Sequence, residues 1–156
     1  MDESAATIRP AEEGDLPGVA ELCRRWAGEN VTRNYRPDTA EQLRERLGEC
    51  FLVAELAGRV VGFVIGEIRS TANNEFVEGV LDDEPAYLEV QDLYVASDHR
   101  GRGLGGRLMR TLLDHAAATG ATGSLVYSAN RDYLRTARFY EKLGYQMWHI
   151  HMTRKA

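Results

Sequence analysis

Arg100-Gly101-Arg102-Gly103-Leu104-Gly105-Gly106 gathers four glycines and two arginines into seven consecutive residues. Glycine lets backbone N–H groups close on an anion, and a helix opening at such a turn adds unpaired donors and a favourable dipole. Arg100 and Arg102 supply formal positive charge to the same turn. The chemistry indicated is phosphate binding. The stretch 101–106 also satisfies G-x-G-x-x-G, the dinucleotide fingerprint, which needs an acidic ribose partner about twenty residues downstream. The corresponding residues, Leu125-Val126-Tyr127-Ser128-Ala129-Asn130, contain no carboxylate. No Gly-Lys-Ser/Thr follows the glycines, so a P-loop fails as well.

The turn has to be held between a strand and a helix. Residues 88–95 read as a strand whose apolar positions change phase: Leu88 and Val90 are even-numbered, Leu93 and Val95 odd-numbered. Side chains alternate with a period of two, so one extra residue near Gln91-Asp92 is needed to return the apolar set to the core, which predicts a β-bulge. After the turn, Leu104, Leu108, Leu112 and Ala116 keep helical spacing and predict a helix over 103–119, stopped near Gly120. A strand over 124–128, a helix over 132–143 closed by Gly144, and a final strand over 145–152 follow.

Upstream, residues 6–9 read as a first strand, and Asp15 is placed to cap a helix running to about Arg25. A second helix begins after Asp38, with Leu43 and Leu47 on one stripe and Gly48 just past its end. Residues 51–56 and 59–68 are rich in β-branched and apolar side chains and flank Ala57-Gly58, the pattern of a hairpin. Residues 70–85 are polar, with Asn73, Asn74, Glu75, Glu78, Asp82, Asp83 and Glu84, and read as a loop. Strands alternating with helices in this order make an α/β pattern with a mixed sheet.

With 156 residues the chain is the size of one domain, residues 1–156. Hydrophobic residues make up 44% and charged residues 28%, a globular balance with no apolar stretch long enough to cross a bilayer. Met1-Asp2-Glu3-Ser4 lacks the cationic start of a signal peptide, so the expected location is the cytoplasm. A net charge of −5 speaks against a nucleic-acid surface and fits a cationic or neutral substrate better. Cys23 and Cys50 lack metal spacing and are expected as reduced thiols; the four histidines have no metal-ligand company.

Asp92-Leu93-Tyr94-Val95 before the turn, Arg100-x-x-Gly103-x-Gly105 within it, and Phe139-Tyr140-Glu141-Lys142-Leu143-Gly144-Tyr145 downstream together resemble the GNAT acetyltransferase superfamily. The resemblance spans nearly the whole chain. It implies a mixed α/β sheet (α+β type) of about six to seven strands, splayed at its centre and flanked by about four helices. It also implies acetyl-coenzyme A as acetyl donor, its pyrophosphate held by Arg100, Gly101, Arg102, Gly103, Leu104, Gly105 and Gly106. Backbone groups of Leu93, Tyr94 and Val95 would line the bulged strand, those of Leu93 and Val95 pairing with pantetheine. Asn130 would bond a pantetheine amide, and dimers are common among such proteins.

Amide formation from an amine and a thioester needs a neutral amine, support for the developing oxyanion, and a proton for the leaving thiolate. The resemblance puts the last role on Tyr140 and a general base on Glu89, with Asp92 as the alternative or with water serving instead. A backbone N–H near Leu93-Tyr94 is the oxyanion candidate. Trp26, Tyr35 and the acidic loop are candidates to line the acceptor pocket, and Arg135 to reach the 3′-phosphate. The expected function is acetyl transfer to the primary amine of a small cationic molecule. A protein lysine or N-terminal acetyltransferase, and a non-catalytic acyl-coenzyme A-binding module, remain as alternatives.

Overall fold

Alternation along the sheet strands assigns each side chain to one of two faces, and two layers of helices cover them. The structure is a computed structural model and describes residues 6–81 and 83–155. Its strands are β1 (Thr7–Pro10), β2 (Phe51–Leu56), β3 (Arg59–Ser70), β4 (Ala86–Val95) and β5 (Gly123–Val126). Its helices are α1 (Leu16–Glu29), α2 (Ala40–Arg44), α3 (Leu104–Ala118) and α4 (Tyr133–Glu141). The strands lie in the order β1-β2-β3-β4-β5, antiparallel except for the parallel pair β4 and β5, which α3 connects.

Phe51, Val53, Phe63, Ile65 and Tyr94 face one way and pack with Leu16, Val19, Leu22, Cys23 and Trp26 of α1 and Leu43 of α2. Leu52, Ala54, Val64, Leu88 and Val90 face the other way, against Leu104, Leu108, Met109 and Leu112 of α3. The β2–β3 hairpin turns at Ala57 and Gly58, whose φ values of 50° and 74° suit a primed two-residue turn. Asp15 stands at the start of α1, yet its carboxylate is taken by Arg9 and the Glu12 N–H rather than by the helix. No helix among the described residues is long and apolar enough to cross a membrane.

The bulge lies where the phase slip predicts it. Ile65 pairs with Asp92 and Gly66 with Val90, so Gln91 is the extra residue on β4. Leu88, Val90, Leu93 and Val95 thereby share the α3 face although their numbering changes parity. Pairing of β4 with β5 runs from Tyr87↔Gly123 to Val90↔Val126 and stops there, so the two strands splay immediately after the bulge begins.

The sheet has five strands among the described residues, fewer than the six to seven expected. The difference lies in residues 145–152, which form no strand. Gly144, at φ 91°, turns the chain and Tyr145 bonds Ser124 Oγ at 2.6 Å, but Met147, Trp148, Ile150 and Met152 are then 58%, 59%, 67% and 85% exposed. Alternating Trp148-His149-Ile150-His151-Met152 is a strand pattern, but a strand forms only where a neighbour completes its ladder. Helix α1 runs to Glu29, beyond the expected end at Arg25, and α2 stops at Arg44, leaving Leu47 outside it.

Opposite the bulge, a side chain on Gly66 would bring its Cβ to 2.7 Å from Leu88 Cδ1 and 3.2 Å from the Glu89 carbonyl oxygen. Gly66→Val is therefore expected to cost about 2 kcal/mol through overpacking, read as a lower urea midpoint. An unchanged midpoint would mean that the bulge yields freely.

Candidate functional site

The site is built where β4 leaves the sheet. Ala96 N–H donates to the Val61 carbonyl at 2.9 Å, so the alternating ladder turns Tyr94 toward β3 and turns the N–H and C=O groups of Leu93 and Val95 into the splay. A single 3₁₀ turn, Ser97–His99, carries the chain into the glycines. Gly101 and Gly103 sit at φ 77° and 82°, left-handed conformations that side chains rarely adopt. Gly103 caps α3, and the first N–H bonded back along the helix is that of Arg107, to Gly103 at 3.0 Å. The N–H groups of Leu104, Gly105 and Gly106 are thus first-turn donors at a helix N-terminus. Leu104, buried to 2% exposure, anchors them to the core.

Arg110 also reaches this turn: its Nη1 lies 3.3 Å from where a Gly106 Cβ would be. A Cβ on Gly105 would meet the Phe139 ring at 3.6 Å, so this glycine brings α3 against α4. Arg102 is exposed at the turn. Arg100 turns elsewhere. Its Nε donates to the Val95 carbonyl at 2.7 Å, its Nη2 reaches both oxygens of Glu29 at 3.0 and 2.7 Å, and its guanidinium lies 5.1 Å over the Tyr94 ring. The Tyr94 hydroxyl donates to the same Glu29 at 2.6 Å. Burial, then that bond, pushes the Tyr94 phenol up to about 12, which keeps it a donor.

The α1 and α2 face of the splay is charged. Asp92, just past the bulge, pairs with Arg46 at 2.6 Å; Arg46 also holds Asp38 at 2.7 Å and the Gln91 amide oxygen at 2.9 Å. Gln91 donates to Glu67 at 2.8 Å, and Arg69 bridges Glu67 at 2.9 Å and Glu89 at 3.1 Å. Burial lifts the Asp92 carboxyl above the usual carboxylate range despite the opposing Arg46 charge. Glu89 sits where β4 is still paired to β5, opposite Leu125. Tyr140 lies on α4 among the partly buried residues of the α3 face, with its ring edge against Phe139 and Tyr145. Burial first, then the charges of Tyr145 and Asp92, push its phenol up, so it stays protonated.

Trp26 and Tyr35 stack with centroids 4.1 Å apart, and Trp26 stacks on Tyr94 at 5.4 Å. Trp26 belongs to the core beneath α1, and Tyr35 is partly buried against it. Asn130 bridges Thr32, and its side-chain oxygen accepts from the Asp132 N–H at 2.9 Å, an attachment to the end of α1 as much as to the splay. Arg135 is exposed in the first turn of α4. The acidic loop is pinned by buried Val77, by Leu81 against Gly123, and by Asn74 donating to the Tyr87 hydroxyl at 2.9 Å. Asp82 lies outside the described residues.

Residues 16–145 match the model of the acetyltransferase (GNAT) family. The chain belongs to this family. An uncharacterized N-acetyltransferase of Methanocaldococcus jannaschii is 28% identical over 139 residues, covering 89% of this chain and 77% of that protein. Two solved structures show the same fold. One is a ribosomal-protein-alanine N-acetyltransferase from Brucella melitensis, at TM-score 0.67 and 23% identity, covering 97% of this chain and 100% of that one. The other is an aminoglycoside acetyltransferase from an uncultured soil metagenomic sample, at TM-score 0.69 and 20% identity, covering 99% and 100%.

Within this GNAT chain Asp92, Leu93, Tyr94 and Val95 follow the bulge and lead into the glycine turn, and Tyr140 packs on the α3 face of the sheet. Sequence reasoning missed Glu29, Arg46 and Arg110. None of the three carried a signal: with α1 expected to end near Arg25, Glu29 did not read as a carboxylate at a helix C-terminus.

Asp92 and Arg46 have side chains only 19% and 24% exposed, so Arg46→Ala would strand a carboxylate and cost about 2 kcal/mol at neutral pH. A carboxyl raised by folding binds its proton more readily in the native state, so the stability it contributes is present in acid and lost as pH rises through the folded value. Losing Arg46 raises Asp92 further. The urea-measured penalty should therefore shrink in mildly acidic buffer, and a penalty independent of pH would exclude Asp92 as its source.

Proposed function

We propose that the protein transfers an acetyl group from acetyl-coenzyme A to the primary amine of a small cationic molecule, by direct attack on the thioester. The observation that carries this reading is the splay beyond Val90 and Val126, which leaves Leu93 and Val95 backbone groups beside the N-terminus of α3. An extended amide chain fits the first of these and a diphosphate the second, because the two offer strand-like pairing and convergent N–H donors. Leu93, Val95 and the N–H groups of Leu104, Gly105 and Gly106 would hold the donor, with Arg110 and Arg102 adding charge and Asn130 as a further amide partner. When bound, the donor supplies an acetyl carbon activated by its thioester.

The chain's own groups then divide the proton and charge work. Asp92, raised by burial and next to the splay, is suited to take the proton of the acceptor ammonium, directly or through water. Glu89 is the second candidate, held to the strand by Arg69. The Leu93 N–H is the better oxyanion donor of the Leu93-Tyr94 pair, because the ladder turns Tyr94 toward β3. Tyr140, kept protonated, gives its phenolic proton to the departing sulfur. The carboxylates of Asp38, Glu67, Glu89 and Asp92 outnumber Arg46 and Arg69 on this face, which favours a cationic acceptor. The aminoglycoside acetyltransferase of similar fold supports a small-molecule acceptor, and the ribosomal-protein-alanine enzyme supports the competing protein acceptor.

A panel of small amines with acetyl-coenzyme A is expected to release free thiol, and Tyr140→Phe to lower kcat about 100-fold with little change in KM. Asp92→Asn should reduce kcat more than Glu89→Gln; the reverse order would move the base to Glu89. Coenzyme A binding with no turnover on any amine would favour a regulatory module, and acetylation confined to co-expressed proteins a protein acceptor.

A further inference from the structure

The glycine turn is expected to use Arg100 on the donor's phosphates, but the structure commits that side chain to three other groups. Its Nε holds the Val95 carbonyl at 2.7 Å, its Nη2 holds Glu29 at 2.7 Å, and its face covers the Tyr94 ring at 5.1 Å. Glu29 in turn accepts the Tyr94 hydroxyl at 2.6 Å. Guanidinium, carboxylate and phenol therefore form a closed ring tying the last residue of α1 to the last residues of β4. A planar fork with fixed donor directions suits this use better than a point charge does.

Glu29 is otherwise poorly placed. It ends α1 in a last turn that holds no basic residue, where the helix dipole disfavours a carboxylate. Its contacts with Arg100 and Tyr94 offset that local disadvantage. The end of α1 is moreover fixed from its other side: Arg131 Nε donates to the Asn30 carbonyl at 2.9 Å, and Arg33 N–H to the Ala129 carbonyl at 3.0 Å. Glu29 thus offers Arg100 an immobile anchor rather than a mobile surface carboxylate.

Val95 is one of the two residues whose carbonyl and N–H face the splay. A carbonyl oxygen accepts two hydrogen bonds, so Arg100 on one lone pair orients the peptide plane and leaves the other for a ligand amide. We propose that Glu29 and Arg100 form a latch that sets the exit edge of β4 for the pantetheine end of the donor. Arg100 is then a positioning residue acting through Val95 and Tyr94, and Glu29 is the residue that holds it. This inference rests on the splay being the donor site.

The test separates the two ends of the donor. Isothermal titration of the full chain would compare S-acetylpantetheine, which has no diphosphate, with adenosine diphosphate, which has no pantetheine. Glu29→Gln and Arg100→Lys are expected each to weaken S-acetylpantetheine about tenfold and to leave adenosine diphosphate within about twofold. The double variant should be no worse than either single one, because both break the same ring. Tyr94→Phe, which removes one hydroxyl and keeps the ring, should weaken S-acetylpantetheine by a smaller factor and guards against loss of folding in the other two.

Loss confined to adenosine diphosphate, rescue of Arg100 function by lysine, or a silent Glu29→Gln would each overturn the latch. If the unaltered protein bound neither fragment nor coenzyme A, the donor reading itself would fall and the latch with it. Binding in the unaltered protein with the wrong pattern in the variants would remove the latch alone.

Discussion

One inserted residue governs the geometry of this molecule. At Gln91 the β4 strand carries an extra unit against β3, and two consequences follow together. The apolar side chains after it return to the α3 face, so the core stays continuous from Leu88 to Val95. The strand axis also bends away from β5, whose pairing ends at Val126. A sheet without the bulge would have to choose between burying Leu93 and opening a cleft. With it, a backbone edge is exposed inside a well-packed domain, where it can be satisfied by a bound chain.

The charges around that cleft are arranged in two separate closed sets. On the face covered by α1 and α2, Arg46 is shared between Asp38 and Asp92, and Gln91 passes the network on to Glu67 and Arg69. On the exit edge, Arg100 is shared among Glu29, Val95 and Tyr94. Trp26, stacked between Tyr35 and Tyr94, stands between the two sets. The N-terminus of α3, with its first-turn N–H groups at Leu104, Gly105 and Gly106, follows directly on the second set.

The bulge was legible because side-chain period is a strict constraint: Leu88, Val90, Leu93 and Val95 cannot all face one way in a regular strand. The glycine turn was legible as a turn because Gly101 and Gly103 need backbone conformations that few other residues tolerate. Long-range pairing was not. Nothing near Arg46 in the chain announces Asp92, and nothing near Arg100 announces Glu29, since those contacts span 46 and 71 residues and depend on how α1 and α2 dock. The terminal stretch misled for a related reason: alternation at Trp148, Ile150 and Met152 reports a preference, while a strand also requires a neighbour.

The polar loop between β3 and β4 is fastened by Val77, Leu81 and Asn74 and by backbone hydrogen bonds from Thr71 to Glu84. Leu81 rests on Gly123 at the start of β5, and Val77 is 1% exposed. Val77 and Leu81 are its apolar anchors, while Glu75, Phe76, Glu78 and Asp83 around them are exposed. Such a segment can exchange its outward residues without disturbing the sheet beneath it. The loop is accordingly the part of the chain whose outward residues can vary with the glycine turn and the bulge left intact.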